Sequence, residues 1–441
     1  MLRPKDKYLF CIENKPLSKG ELFSILGNDE RGYQYLLEFG YLSKNSDIFS
    51  FQFVGVIVIN NNILCVLPKY YSSTDLADRD LTTDIIQIIK VLKKAGATEP
   101  FIPDFSNISI LEKKSLSEII FADKLLKDYL EHGIYIKSKE LFEINSDGEV
   151  NWHKTIESID PIFSHKTPIY VDCYNLTVVN YEYHIITELH KFIIKQSFYN
   201  YGELLDYKFA FHEDSVNNLA DLGSIPYLIG VLKKELNDIY IDRDLYLIEN
   251  LLYFLQKKEN NSSGSFTLYG TQYFHIIWEK ACGVFFSNKI DLFKKHIPTP
   301  SWSDNYGNEV SKDSLIPDII TYSSDNQLFF VLDAKYYNLQ YTADPFNVSG
   351  NPGVSDVSKQ FLYHKIFEET RFSEKFNCFL FPSLQTEAFY IVGSVTFSLF
   401  NNLKIYNLRL SSNMIYQSYI ENDQQGDEML TKLKLLICCL A

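Results

Sequence analysis

Two stretches decide how the last part of this sequence reads: Ile316-Pro317-Asp318-Ile319-Ile320 and Phe329-Phe330-Val331-Leu332-Asp333-Ala334-Lys335. Both are rich in β-branched and aromatic residues, and the polar Ser323-Ser324-Asp325-Asn326-Gln327 lies between them, so a hairpin is expected with strands over 315–322 and 328–337. Side chains alternate faces along a strand. Asp333 and Lys335 therefore share a face with Phe329 and Val331, while Phe330, Leu332 and Ala334 line the other. A central strand is normally apolar on both faces, and a carboxylate and an ammonium at its end carry a desolvation cost. With Asp325-Asn326 as a two-residue turn, Asp318 stands across from Asp333. Two adjacent carboxylates repel, and a hard divalent cation relieves them. Asp318, Asp333 and the Ala334 carbonyl would hold Mg²⁺, with Mn²⁺ as a substitute, against a phosphodiester. Lys335 would orient the attacking water or neutralise developing charge.

Taken alone, the pair reads equally well as a salt-bridged hairpin. Two flanking segments shift the balance. Upstream, Gly270 to Lys280 sets Glu279 among Phe274, Ile276, Ile277 and Trp278, where an unpaired carboxylate is expensive. Downstream, Asp356-Val357-Ser358-Lys359-Gln360 opens another helix, and Lys359 and Gln360 in its first turn suit a phosphate.

The whole chain has 441 residues, 46% hydrophobic, 22% charged and 15% aromatic. At roughly 100–200 residues per domain, that length fits two to four domains. The apolar content excludes a disordered or collagen-like chain. No apolar run is long enough for a bilayer, and Tyr8–Ile12 is too short for a signal-peptide core, so a soluble, cytoplasmic protein without membrane contact is expected. Seven cysteines without zinc-type spacing are expected as reduced thiols packed as small hydrophobes. With 42 basic against 56 acidic residues, the net charge of -14 argues against coating nucleic acid by bulk attraction. A chain of this charge acts on DNA through a locally basic groove, divalent metal, or a partner that delivers the DNA.

The fold class expected is α/β (α+β), in several domains. Residues 1–135 begin mixed, with Phe51–Ile59 and Ile63–Tyr70 as a hairpin ended by Pro68, then helices over 82–95 and 111–130. Residues 136–265 are mostly helical: a strand or turn at 148–156, helices over 182–198, 225–237 and 243–257, and a polar linker at 257–265. Residues 266–441 follow as helix 271–287, the hairpin, helix 357–370, β-rich runs 376–381 and 389–400 with a bulge at Gly393, and a closing helix 429–440. A further strand is expected near Trp302, and Trp152 and Trp302 are expected in the core. His275, four residues before Glu279, has a spacing that can bind metal, whereas Lys69 and His364 read as exposed or groove residues.

Glu279, Pro317-Asp318, Asp333-Ala334-Lys335 and Lys359-Gln360 together resemble the PD-(D/E)xK nuclease signature with its flanking helices. More narrowly, Tyr269-Gly270-Thr271 with Trp278-Glu279, and Asp356 with Lys359-Gln360 and Tyr363, are similar to LlaJI-type restriction endonucleases and their McrC-like relatives. Gly148-Glu149-Val150-Asn151-Trp152 with Thr155-Ile156 resembles another block of those proteins, and Val54-Gly55 to Leu67-Pro68-Lys69 resembles the start of McrC-like subunits. The resemblance implies a Mg²⁺-dependent endonuclease of a restriction system, with a PD-(D/E)xK domain at 266–441 that cuts double-stranded DNA. Asp318, Asp333 and Glu279 would serve the metal, Lys335 the chemistry, and Lys359 and Gln360 the DNA. It also implies an AAA+ GTPase partner of the McrB type, met by residues 1–135, and allows a homodimer through the nuclease domain. No G-x-x-x-x-G-K-[ST] loop is present, so this chain is not the NTPase. Two other readings stand beside this one: a non-cutting stimulatory or architectural subunit, and a stand-alone type II endonuclease.

Overall fold

In a computed structural model of the chain, the described residues are 3–5, 8–27, 30–59, 62–98, 118–181, 184–209, 214–260, 266–312, 315–323, 325, 327–400 and 403–439. Strands β1 (Arg3–Lys5), β2 (Tyr8–Ile12), β3 (Val54–Ile59), β4 (Asn62–Leu67) and β5 (Phe266–Thr271) form one sheet in the order β1-β2-β4-β3-β5. The expected hairpin is β3 and β4, antiparallel from Gly55 opposite Val66 to Ile59 opposite Asn62. Its residues Asn60 and Asn61 lie outside the described residues. Every position of β3 is buried, as a strand with neighbours on both sides requires.

β5 departs from the sequence expectation, which starts a helix at Thr271 and has no strand before it. It pairs antiparallel with β3, and Gly55 meets Gly270 in the register. Gly55 has φ +149°, and a Cβ there would come 2.2 Å from the Tyr269 carbonyl oxygen, so only glycine allows this approach. Through β5 the start and the end of the chain become one compact unit, residues 1–117 with 264–441, and residues 118–263 form a second. These limits differ from the division at 135 and 265, and Leu268 of β5 packs into a core otherwise made by the first segment, among Leu17, Leu22, Phe51 and Ile57.

In the first unit a second sheet is built from β6 (Ile319–Tyr322), β7 (Leu328–Ala334), β8 (Glu374–Ser383), β9 (Phe389–Thr396) and β10 (Lys404–Ser411), in the order β6-β7-β8-β10-β9. β7 and β8, and β8 and β10, run parallel; the outer pairs are antiparallel. The expected bulge is present as a register shift between Ile391 and Gly393. The unit also contains helices α1 (Leu81–Thr98), α2 (Phe274–Phe285), α3 (Val354–Ile366), α4 (Ser412–Glu421) and α5 (Asp427–Cys438). Phe329 and Val331 of β7 pack with Ile320, Tyr363, Phe367 and Phe372. α3 starts at Val354, which puts Lys359 and Gln360 in its second turn rather than its first.

The second unit has helices Glu118–His132, Ile185–Tyr201, Ile225–Glu235 and Asp242–Asn260 around Leu125, Ile193, Leu232, Ile248 and Leu251. The last of these runs through the start of the expected linker; residues 261–265, like 111–117, lie outside the described residues. The unit also has a three-stranded sheet (Lys137–Ile144, Glu149–Val150, Tyr174–Tyr181), a hairpin of Ile162–Ser164 with Thr167–Ile169, and the short helix Trp152–Ser158. Neither Trp152 nor Trp302 is a core residue, being 56% and 64% exposed. Trp152 opens a short helix and Trp302 sits in the small hairpin Ser301–Ser303/Glu309–Ser311, each too thin an element to cover a large ring. The buried tryptophan is Trp278. Cys11, Cys65, Cys282 and Cys378 are buried free thiols, as expected, whereas Cys173 is half-buried and Cys438 and Cys439 are exposed on the last helix and its end. Among the described residues no helix is long and apolar enough to cross a membrane.

Candidate active site

The register of β6 against β7, with Ile319 opposite Leu332 and Ile320 opposite Val331, continues by one residue to set Asp318 opposite Asp333. Two further contacts fix Asp318. The Ala334 N–H donates to its Oδ2 at 2.9 Å, and Asn288 Nδ2 donates to its carbonyl at 2.8 Å. Asn288 Oδ1 also accepts from the Ile320 N–H at 3.1 Å, so the turn after α2 pins the start of β6. Lys335 is the residue past the end of β7, and its N–H donates to the Leu380 carbonyl of β8 at 2.8 Å. Its Nζ stands 2.7 Å from Asp333 Oδ2 and 3.4 Å from Asp356 Oδ1, in the first turn of α3.

Negative charge is in excess here. Burial, then the charges of Asp333 and Glu279, push Asp318 up to about 8. Burial also raises Asp333, against the pull of Lys335. Glu279, half-buried on α2, is raised by burial and by Asp333. Burial would pull the Lys335 ammonium down, but Asp333 and Asp356 outweigh it and hold the pKa above its ordinary value. Lys335 is therefore a cation at neutral pH. Tyr363 of α3 is buried beside the group and pushed up to about 12 by burial and by Asp333 and Asp318.

A divalent cation would relieve this crowding. Asp318, Asp333 and the Ala334 carbonyl are the groups that could hold it. Among the described residues no three His, Cys, Asp or Glu side chains converge as a complete metal cage. Mg²⁺ does not require one, because it keeps several waters and takes one or two carboxylates. The donor set fits that ion.

Lys359 is exposed on α3. Gln360 is not on the surface: it is fully buried, and its Nε2 donates to Asn377 Oδ1 at 2.6 Å and to the Val331 carbonyl at 3.2 Å. It ties α3 to β7 and β8 and is unavailable to DNA. Gln360→Ala should therefore destabilise the protein by about 2–3 kcal/mol through lost hydrogen bonds and a cavity. Lys359→Ala should leave stability unchanged and lower the slope of log affinity for duplex DNA against log salt by about 1. Denaturant melts and salt-dependent binding separate the two. His275 is exposed, and Lys69 is half-buried with its Nζ 4.7 Å from the centre of the Tyr336 ring.

Residues 53–413 match the family model described as LlaJI restriction endonuclease. The chain belongs to that family. This LlaJI family member is 33% identical over 435 residues to the Type II restriction enzyme BsuMI component YdjA of Bacillus subtilis (strain 168), covering 96% of this chain and 91% of the relative. Among solved structures it is similar to a chain in the refined half-complex from a tetradecameric assembly of Thermococcus gammatolerans McrB AAA+ hexamers with bound McrC. That likeness has a TM-score of 0.38 at 13% identity and covers 94% of this chain and 99% of the other.

In the LlaJI-family chain, strand spacing alone brings Asp318, Asp333, Ala334 and Lys335 together, with Glu279 nearby. It does not reveal the contact of Asp356 with Lys335 or the burial of Tyr363 beside the acids. An acidic residue in the first turn of α3, one turn before Lys359, was the available signal; it does not say which strand end the helix faces.

Proposed function

We propose that this chain is the DNA-cutting subunit of a restriction system, a Mg²⁺-dependent endonuclease with a PD-(D/E)xK site. The observation that carries the reading is the meeting of Asp318, Asp333 and Lys335 at the end of β6 and β7, where both carboxylates have raised pKa values and the Lys335 ammonium stands 2.7 Å from Asp333. Family membership supports a nuclease.

When bound, the metal supplies Lewis-acid stabilisation of the phosphate and a more acidic water. The chain's own residues do the rest. Asp318 and Asp333 would hold the cation with the Ala334 carbonyl, and the Ala334 N–H keeps one Asp318 oxygen fixed. Lys335, kept charged by Asp333 and Asp356, orients water and offsets charge growing on the phosphoryl oxygens. Glu279, on α2, would be a further ligand of the cation or hold a water beside it. Water attacks phosphorus directly as the bond to the departing sugar oxygen breaks, the attacking water loses a proton to solvent and the departing oxygen takes one up, with no covalent intermediate on the protein. Lys359 contacts the DNA backbone.

The cutter works with an AAA+ GTPase of the McrB type. The lack of a nucleotide-binding loop in this chain and the name of the Bacillus relative as a component support a divided machine. Since residues 8–12, 54–59 and 62–67 share a sheet with 266–271, the first segment is part of the cutting unit. The second unit offers Ile162, Phe163, Ile169 and Val171 exposed on and beside one hairpin, which suits a protein partner.

The test is cleavage of duplex DNA by the purified chain with Mg²⁺, alone and with an AAA+ protein encoded beside it plus GTP. Cutting only with partner and nucleotide is the expected result. Cutting by the chain alone would favour a stand-alone type II enzyme. Stimulated GTP hydrolysis without any cutting would overturn the nuclease reading.

A further inference from the structure

Tyr336 follows Lys335 just past the end of β7, and the two side chains meet different groups. Lys335 goes to Asp333 and Asp356. Tyr336 goes to the first segment of the chain, and what it meets there is polar, buried and closely fitted. Its hydroxyl donates to Glu13 Oε2 at 2.6 Å, and the Lys69 N–H donates to the same oxygen at 3.2 Å. The Lys69 N–H also reaches the Tyr336 hydroxyl oxygen at 3.3 Å. Glu13 is 7% exposed and Tyr336 4%. The ring of Tyr336 is edged by Tyr70 at 6.0 Å and Phe274 at 5.6 Å between centroids.

A buried carboxylate is costly unless a specific geometry compensates it, and among the described residues the side chain that bonds this carboxylate is Tyr336. Glu13 follows β2 directly and its N–H donates to the Leu67 carbonyl of β4 at 2.8 Å, so the acceptor is fixed to a sheet. The contacts also close into a ring. Tyr70 Oη lies 3.0 Å from Tyr416 Oη, Tyr416 packs edge-on to Trp278, and Trp278 Nε1 donates to the Leu380 carbonyl at 3.3 Å. That carbonyl is the one that accepts the Lys335 N–H. The backbone of Lys335 is thus held on both sides by groups outside the acidic cluster.

We infer that Glu13, acting through Tyr336, is a positioning residue for Lys335, so that the first segment of the chain sets the geometry of the cutting site. The inference rests on the nuclease reading above. Small displacements of a reacting group cost large factors in rate, about 10–100-fold for a fraction of an ångström to an ångström.

The experiment is single-turnover cleavage of a labelled duplex by the full chain, with its AAA+ subunit and GTP present, alongside duplex affinity measured without Mg²⁺. Tyr336→Phe and Glu13→Ala should lower the cleavage rate constant about 10–100-fold with affinity unchanged. Glu13→Gln keeps a side-chain oxygen for the Tyr336 hydroxyl and should recover most of the rate. A variant that is merely part-unfolded loses cleavage amplitude and keeps its rate constant. If Glu13→Ala fails to fold, Tyr336→Phe decides, because it removes one hydroxyl and keeps the packed ring. A wild-type rate constant in Tyr336→Phe would overturn the inference. Asp333→Ala is run beside these variants. If it is inactive while Tyr336→Phe cuts normally, only the positioning role fails; if it cuts as the wild type does, the nuclease reading itself fails.

Discussion

Asp333→Ala should give a folded protein that still binds duplex DNA and no longer cuts it, with cleavage down by about three orders of magnitude or more. That factor corresponds to about 4 kcal/mol of lost transition-state stabilisation, within the range of removing a metal-holding or charge-stabilising group. The fold should survive because the charged Asp333 is itself unfavourable where it stands: burial raises its pKa. The substitution removes a repulsion with Asp318 along with the carboxylate. Lys335 keeps a partner in Asp356, 3.4 Å away. Cleavage, duplex affinity and thermal stability are measured together. Retained cutting would remove Asp333 from the site, and collapse of the fold would show the residue to be structural.

The strand end could be read from sequence because it depends on a period of two and on a short turn. Asp318, Asp333 and Lys335 follow from those alone, and the register agrees. What could not be read depends on contacts far apart in the chain. β5 is short, contains Gly270, and is a strand only because β3 accepts it. β10 lies between β8 and β9 in the sheet although it follows both in sequence. Gln360 resembles a first-turn surface residue because polar side chains are usually exposed; its partners Asn377 and Val331 come from two other strands. Trp152 and Trp302 fail in the opposite sense, since hydrophobicity places a ring in a core only where a thick enough element covers it. Glu13 carries no local signal at all. Its role comes from Tyr336, which is distant in the chain and adjacent in the fold.

Asp318→Asn should stabilise the protein at alkaline pH while preventing cleavage, and its sign follows from proton linkage. Without divalent cation, the folded state holds Asp318 at about 8 against 3.8 in the unfolded reference. Between those values the folded state keeps a proton that the unfolded state has released. The contribution is fully present below pH 4, declines as pH rises, and is lost through about pH 8. Each pH unit between the two values is worth about 1.4 kcal/mol, and water access and relaxation reduce the sum to on the order of 2 kcal/mol. Asparagine still offers an oxygen to the Ala334 N–H and carries no charge to desolvate. Thermal melts at about pH 8.5 should therefore show the variant several degrees more stable than the parent, and melts at about pH 4 should show the two nearly equal. Mg²⁺ adds a second arm. It should raise the parent's melting temperature at the alkaline pH in a concentration-dependent way, because a cation that binds only the folded state stabilises it by mass action. The same addition should do far less for the variant. A variant less stable than its parent under alkaline conditions would mean that Asp318 and Asp333 are not in conflict, and the argument for a cation between them would go with that conflict.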